Sequence, residues 1–110
     1  MCKKDLVRVS LLLPNKAETR KMFNSMTLKL ARDFGGLTYC GPSIPFQVDG
    51  IWPDENGNIV KDQHILLWVD VDISNGIDVD EYFSNFKAQY EKLLCEQVLW
   101  ITFQPLVRVV

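Results

Sequence analysis

The stretch from Ile65 to Ile73 constrains this chain more than any other. Its odd positions are all aliphatic (Ile65, Leu67, Val69, Val71, Ile73), whereas His64, Leu66, Trp68, Asp70 and Asp72 occupy the even ones. Side chains alternate between the two faces of a strand, so this pattern predicts a strand with one wholly apolar face and one mixed face. The mixed face cannot be an ordinary solvated surface, because it carries a tryptophan and a leucine among its charges. A fold must bury the first face and find a use for the second.

The rest of the chain supplies the means to bury it. Val7, Val9, Leu11 and Leu13 alternate with Arg8 and Ser10, which predicts a first strand over residues 6–13, ended by Pro14. Asn15 with Glu18 three residues on reads as a capping box opening a helix that runs to about Phe34. At helical spacing Phe23, Met26, Leu30 and Phe34 share one side, with Met22 and Thr27 at its margins and Lys21, Lys29 and Arg32 opposite. Gly35-Gly36 is the expected stop, since glycine readily takes the left-handed C-cap conformation.

Residues 37–52 are expected to form an irregular edge strand, because Pro42 and Pro45 cannot donate to a ladder. The turn at 53–58, with Asn56-Gly57 at its tip, predicts a hairpin into a strand over 59–73, with a break or bulge near Asp62-Gln63. Ser74-Asn75-Gly76 is a second turn. Asp78 and Glu81 form another capping-box pattern for a helix to about Cys95, whose Phe83, Phe86, Tyr90, Leu93 and Leu94 face the core. In the closing stretch, 98–110, Leu99, Ile101, Phe103, Val107 and Val109 alternate with Trp100, Thr102, Gln104 and Arg108.

The order is strand, helix, two-stranded hairpin, helix, strand. It predicts an α+β fold: a ferredoxin-like βαββαβ sandwich, with a four-stranded antiparallel sheet and two helices on one face. Right-handed crossovers are expected to place the first and third strands parallel at the sheet centre. With 110 residues, one domain spanning 1–110 is expected. The longest apolar runs, 65–69 and 98–101, are strand-length and too short to cross a bilayer. No signal peptide is read at the N-terminus. Cys2, Cys40 and Cys95 are too scattered and odd in number for a disulfide scaffold, which favours a reducing, cytoplasmic setting.

Phe34-Gly35-Gly36-Leu37-Thr38, then Gly50-Ile51-Trp52, Gly57 and Asp62 form a pattern that resembles small uncharacterised bacterial proteins. The likeness covers about a quarter of the chain, and residues 39–47 depart from it. It implies a ferredoxin-like fold and no activity. Physically the pattern is punctuation: a helix stop, a strand end and a hairpin turn.

No complete catalytic, metal or cofactor motif is present, so catalytic residues, metal and cofactor are all expected to be none. A sheet covered on one side leaves the other open. That face is expected to carry Arg8 and Ser10, then His64, Leu66, Trp68 and Asp70, then Trp100, Thr102 and Gln104. Amphipathic patches of this kind mark association sites. The favoured reading is a small binding or interaction protein, homodimeric through that face. The runner-up is a small-molecule-binding protein or small enzyme of the dimeric α+β-barrel type, with tryptophan walls and Arg8, His64 or Asp70 as polar anchors. Each of these residues has a plainer role open to it: Arg8 neutralising Asp70, His64 as a polar interface group. A Cys40–His64 thiol pair is the remotest alternative.

Charge is distributed unevenly. Residues 1–32 hold eight basic residues against two acids, and the remainder four against twelve, so the parts carry +6 and −8. The outer face of the first helix (Lys21, Lys29, Arg32) is therefore a candidate surface for nucleic acid or an acidic partner. A net charge of −2 argues against a dedicated nucleic-acid binder.

Overall fold

A computed structural model of the chain describes residues 3–40, 48–93 and 99–109. The elements are strand β1 (Lys3–Pro14), helix α1 (Ala17–Phe34), strands β2 (Thr38–Cys40), β3 (Val48–Pro53) and β4 (Ile59–Asp72), a 3-10 turn (Ile73–Asn75), helix α2 (Val79–Leu93) and strand β5 (Trp100–Val109). The fold is α+β: two helices and an antiparallel sheet four strands wide. β2 and β3 both pair with β4, along successive stretches of one edge, and the order across the sheet is β2-β4-β1-β5.

The two central strands run antiparallel, not parallel as the crossover argument predicted. The first helix brings the chain back parallel to β1, but the hairpin then reverses it before β4 takes its place beside β1. The expected bulge at Asp62-Gln63 is absent too. β4 is one continuous strand, in unbroken register with β3 from Ile59 to His64 and with β1 from His64 to Asp72.

The odd positions of β1 and β4 form the covered face. Val9, Leu11, Leu13, Ile65, Leu67, Val69 and Val71 are buried against Phe23, Met26 and Leu30 of α1 and Phe83, Phe86 and Tyr90 of α2. Phe34 closes this layer, lying 4.7 Å from the ring of Tyr82 and 5.6 Å from that of Phe83.

The ends of the helices depart in part from the sequence reading. The N-cap of α1 is Lys16, with no side-chain cap bond, and the Asn15 carboxamide oxygen instead accepts from the Arg20 guanidinium at 3.0 Å. At its other end Gly35 takes the expected left-handed conformation (φ 82°) and donates its N–H to the Ala31 carbonyl at 2.8 Å. Asp78 does cap α2, accepting from the Glu81 N–H at 3.0 Å. Leu93, expected in the core, is exposed, because it stands in the last turn, past Tyr90, the last buried residue of the stripe. Leu94 lies outside the described residues. Glu91 accepts from the Leu99 N–H (3.0 Å) while Lys87 donates to the Leu99 carbonyl (3.0 Å), so α2 grips the chain as it enters β5.

Leu99 is buried and Ile101 partly so, but Phe103, Val107 and Val109, expected in the core, are exposed on this outer strand, although the Phe103 ring still meets that of Phe83 in α2, 6.2 Å away. β5 is an edge strand, with no partner on its outer side among the described residues, and Pro105 sits at its middle. At the opposite end, residues 59–63 of β4 pair with β3 alone. This two-stranded ribbon bears exposed Ile51 and Ile59 and turns through Asp54, whose carboxylate accepts from the N–H groups of Asn56 and Asn58, both at 2.9 Å. The staggered ends draw the molecule out to 50 Å.

Candidate binding face

The even positions lie on the uncovered side, and the register arranges them as cross-strand rows. Leu66, Leu12 and Trp100 form one row. Trp68, Ser10 and Thr102 form the next, and Asp70, Arg8 and Gln104 the third. Directly opposed residues have Cβ atoms about 4.5–5.5 Å apart, so Leu12 bridges Leu66 to Trp100 in a continuous apolar bar. Trp68 stands beside it in the next row, and the charged row lies beyond that one.

The charged row is tightly organised. Arg8 donates two nearly parallel hydrogen bonds to Asp70, Nε to Oδ1 at 2.8 Å and Nη2 to Oδ2 at 3.0 Å. The same guanidinium lies over the Trp68 ring, 5.6 Å from its centroid. The hydrogen bonds from Arg8 hold the Asp70 carboxyl below the usual carboxylate range against an opposing desolvation, and the positive charges of Arg8 and of Arg108 add to the effect. Arg8 therefore neutralises Asp70 across the two central strands while its charge sits over the indole. A bidentate guanidinium of this kind fixes orientation as well as charge.

The expected site residues thus divide. Arg8, Leu66, Trp68, Asp70, Trp100, Thr102 and Gln104 share one face and adjacent rows. His64 shares the parity but stands at the root of the ribbon, opposite Pro14 and Val48, and is buried to 7% exposure. It is two rows from Trp68 and does not join the Arg8–Asp70 pair. Asp72 is occupied locally, its carboxylate accepting from the N–H and hydroxyl of Ser74 at 3.0 and 2.6 Å. The side chains of Cys2, Cys40 and Cys95 lie outside those described, and with them the Cys40–His64 pairing.

Compared with known proteins, the chain matches no family model, no curated protein and no solved structure.

Two features of the face escape sequence reading. Leu12 belongs to the bare side, but in the run Leu11-Leu12-Leu13 it is indistinguishable by type from its buried neighbours. The second is a cavity of about 210 Å³ at the border of the face, lined by Phe34, Gly35, Gly36, Leu37, Thr38, Trp68, Asp70 and Arg108. Gly35-Gly36 reads as a helix stop, and nothing local hints that this stop turns beside Trp68. Arg108 was within reach of a parity argument, since it continues the series Trp100, Thr102, Gln104.

On α1, Lys21 and Arg32 are exposed as expected of an anionic-partner face. Lys29 is half-buried: it pairs with Asp33 at 3.3 Å and lies 5.5 Å from the ring centroid of Tyr82. Tyr82 donates its hydroxyl to the same Asp33 carboxylate. That bond, supported by Lys29, holds Asp33 below the usual carboxylate range, and burial first, then Asp33, pushes the Tyr82 phenol above its ordinary value. No helix is long and apolar enough to cross a membrane among the described residues. Nor do the described His, Asp and Glu side chains gather into a group that could hold a metal ion.

Proposed function

We propose that this chain is a binding module of the ferredoxin-like type, acting in the cytoplasm and pairing with a second copy of itself through the bare sheet face. The observation that carries this reading is the apolar bar Leu66–Leu12–Trp100, flanked by Trp68, on the sheet face opposite the two helices. Trp100 is 57% exposed there. Counting β2 and β3 as one interrupted edge, the strands come in the order second, third, first, fourth, which supports the ferredoxin-like description. The stretch of β1 paired to β4, Leu6 to Pro14, gives a footprint on the order of 15 by 30 Å across three strands. Once contoured by side chains, this approaches the roughly 800 Å² per partner of a standard interface. A two-fold axis through the apolar bar sets it against itself and leaves the Arg8–Asp70 pairs toward the rim, where a salt bridge adds orientation more than affinity.

Sedimentation equilibrium over tens of micromolar protein tests the reading. The wild type is expected to be dimeric, and Trp100→Lys, at an exposed position, is expected to weaken association by about 30-fold or more, the loss typical of a central aromatic anchor. A monomeric wild type whose Trp68 and Trp100 fluoresce as solvated indoles would refute it.

A further inference from the structure

The outer edge of β5 turns backbone groups away from the sheet, and hydrogen bonds elsewhere fix which ones. In an antiparallel ladder, residues that direct N–H and C=O toward one neighbour alternate with residues that direct them toward the other. Asn15, one step beyond β1, continues the β1–β4 register and donates its N–H to the Gln63 carbonyl at 2.9 Å. The odd residues of β1 therefore address β4, and Arg8, Ser10 and Leu12 address β5. Their partners there are Gln104, Thr102 and Trp100, which leaves Ile101, Phe103 and Pro105 turned outward. Leu99 has the same parity, and its N–H and C=O go to Glu91 and Lys87 of α2.

Along this stretch two residues are open and two are blocked. Both polar groups of Leu99 are engaged by α2, and Pro105 has no N–H to give. Between them, Ile101 and Phe103 each keep a donor and an acceptor, with no strand beside them among the described residues. An antiparallel copy of the same strand, centred on Thr102, matches that pattern. It sets Ile101 against Phe103 on both sides of the centre, with two hydrogen bonds exchanged in each pair. Leu99 then falls opposite Pro105, so the blocked residues face only each other. Centring on Ile101, Phe103 or Gln104 instead sets a blocked residue against an open one. Centred on Pro105, the pairing would bring two proline rings to its middle, and centred on Arg108 it would oppose like charges.

The side chains agree with the backbone. On the helix side, Phe103 (44% exposed) meets Ile101 of the other copy, an aromatic–β-branched pair of the kind that stabilises sheets. On the bare side, Thr102 meets its counterpart and Trp100 meets Gln104, with no charge opposed to its like. We propose that two copies of this chain join edge to edge through residues 100–104 of β5, around a two-fold axis at Thr102, into one continuous sheet. This contact goes beyond the face reading and does not rest on it. Five residues a strand bury far less than a standard interface, so the edge pairs at higher concentration than the face. Its symmetry closes it, because each copy covers the β5 edge of the other and leaves none to recruit a third.

Cross-linking tests the contact. Residues opposed without hydrogen bonds in an antiparallel pair have Cα atoms about 4.5 Å apart, within the roughly 4.4–6.8 Å that a disulfide spans. Two Thr102→Cys chains are therefore expected to link under mild oxidation, the bond being located by peptide mass mapping. A mixture of Trp100→Cys and Gln104→Cys chains is expected to link one kind to the other. Sheets packed face to face stand about 10 Å apart, too far for either bond. Phe103→Pro removes an outward N–H and spares the β1 ladder. It is expected to lower the linked yield about tenfold, the loss of one hydrogen bond in each pair, and to leave face pairing in sedimentation unchanged. Leu66→Lys, on β4 and away from the edge, is expected to weaken face pairing and leave the link in place, so the two readings fail separately. As a measurement that needs no proline, the Ile101 and Phe103 amide hydrogens of Leu66→Lys are expected to exchange more slowly as its concentration rises. No link between Thr102→Cys chains, an equal yield with Phe103→Pro, or amide exchange independent of concentration would each overturn the proposal.

Discussion

Leu66 and Leu67 are neighbours in the chain and leucines both, yet they occupy opposite sides of one sheet. Leu67 is fully buried, packed among the aliphatic rows of β1 and β4 beneath two helices. Leu66 is half-buried, on the sheet face opposite the two helices. The covered side is uniform, aliphatic and aromatic, which is what a close-packed interior demands. The bare side mixes leucine, tryptophan, arginine and aspartate in rows, and a monomer gains little from that arrangement. The difference separates residues that hold the fold from residues available for recognition, although the two sets interleave one by one along the same strands.

Paired substitutions test that separation, and the largest effect is expected on the covered side. Leu67→Ala removes fully buried methyl groups and leaves a cavity. It is expected to lower stability by about 2–5 kcal/mol in urea denaturation, with the midpoint moving and the slope unchanged. Leu66→Ala is expected to lower monomer stability by about 1 kcal/mol or less, its exposed part removing little area from water, while weakening self-association. Equal losses from the two leucines would mean that the bare face is covered within the monomer.

A smaller effect of opposite sign is expected at Thr19 of α1. Its side chain is fully buried, and its hydroxyl has no hydrogen-bond partner among the described residues. Thr19→Val replaces an unsatisfied hydroxyl with a methyl of nearly the same shape, so stability is expected to rise by about 1 kcal/mol.

The smallest effect belongs to the polar pairs. Asp70, Asp33 and Glu91 are all held below their ordinary range: Asp70 by Arg8, Asp33 by Tyr82 first, and Glu91 by Lys87 first. In the unfolded chain such groups titrate near 3.9 for Asp and 4.3 for Glu. The unfolded state therefore binds more protons as the pH falls through that range. Their contribution is complete above about pH 5 and is lost on further acidification. Denaturation midpoints measured from pH 6 to pH 3 are expected to fall in the wild type and to fall less steeply in Asp70→Asn. An unaltered slope would show that the Arg8–Asp70 pair orients Trp68 without stabilising the fold.

Much of the covered side was legible because its rule is local. Val7, Val9, Leu11 and Leu13, and Ile65, Leu67, Val69 and Val71, place an aliphatic residue at every second position, and Phe23, Met26 and Leu30 recur at helical spacing, so period alone assigns the face. The same rule failed where a tertiary boundary intervened. Phe103, Val107 and Val109 carry the parity of the core, yet they stand exposed on the outer strand, even though Phe103 meets the Phe83 ring of α2, and nothing in β5 itself records how far the helix layer shields it. Asn15 and Glu18 make a plausible cap by type, yet Asn15 is occupied by Arg20. The Arg8–Asp70 pair could be foreseen from the parity of two adjacent strands. The cavity could not, since it depends on a glycine turn, a tryptophan and an arginine brought together from separate elements.

Pro105 sets a limit on assembly that neither face controls. β5 carries Arg108 as its single charge among hydrophobic, hydroxyl and amide side chains, on an edge with no described partner. Edges of that composition template growth: one strand adds to another, and the chain of additions has no reason to stop. Proline has no N–H to give an incoming strand. It cuts the edge into a stretch of five residues, Trp100 to Gln104, and one of four, Leu106 to Val109. Each is shorter than the six- or seven-residue segment from which cross-β stacking nucleates. A single imino acid thus keeps either half of this edge below the length at which strands stack without limit.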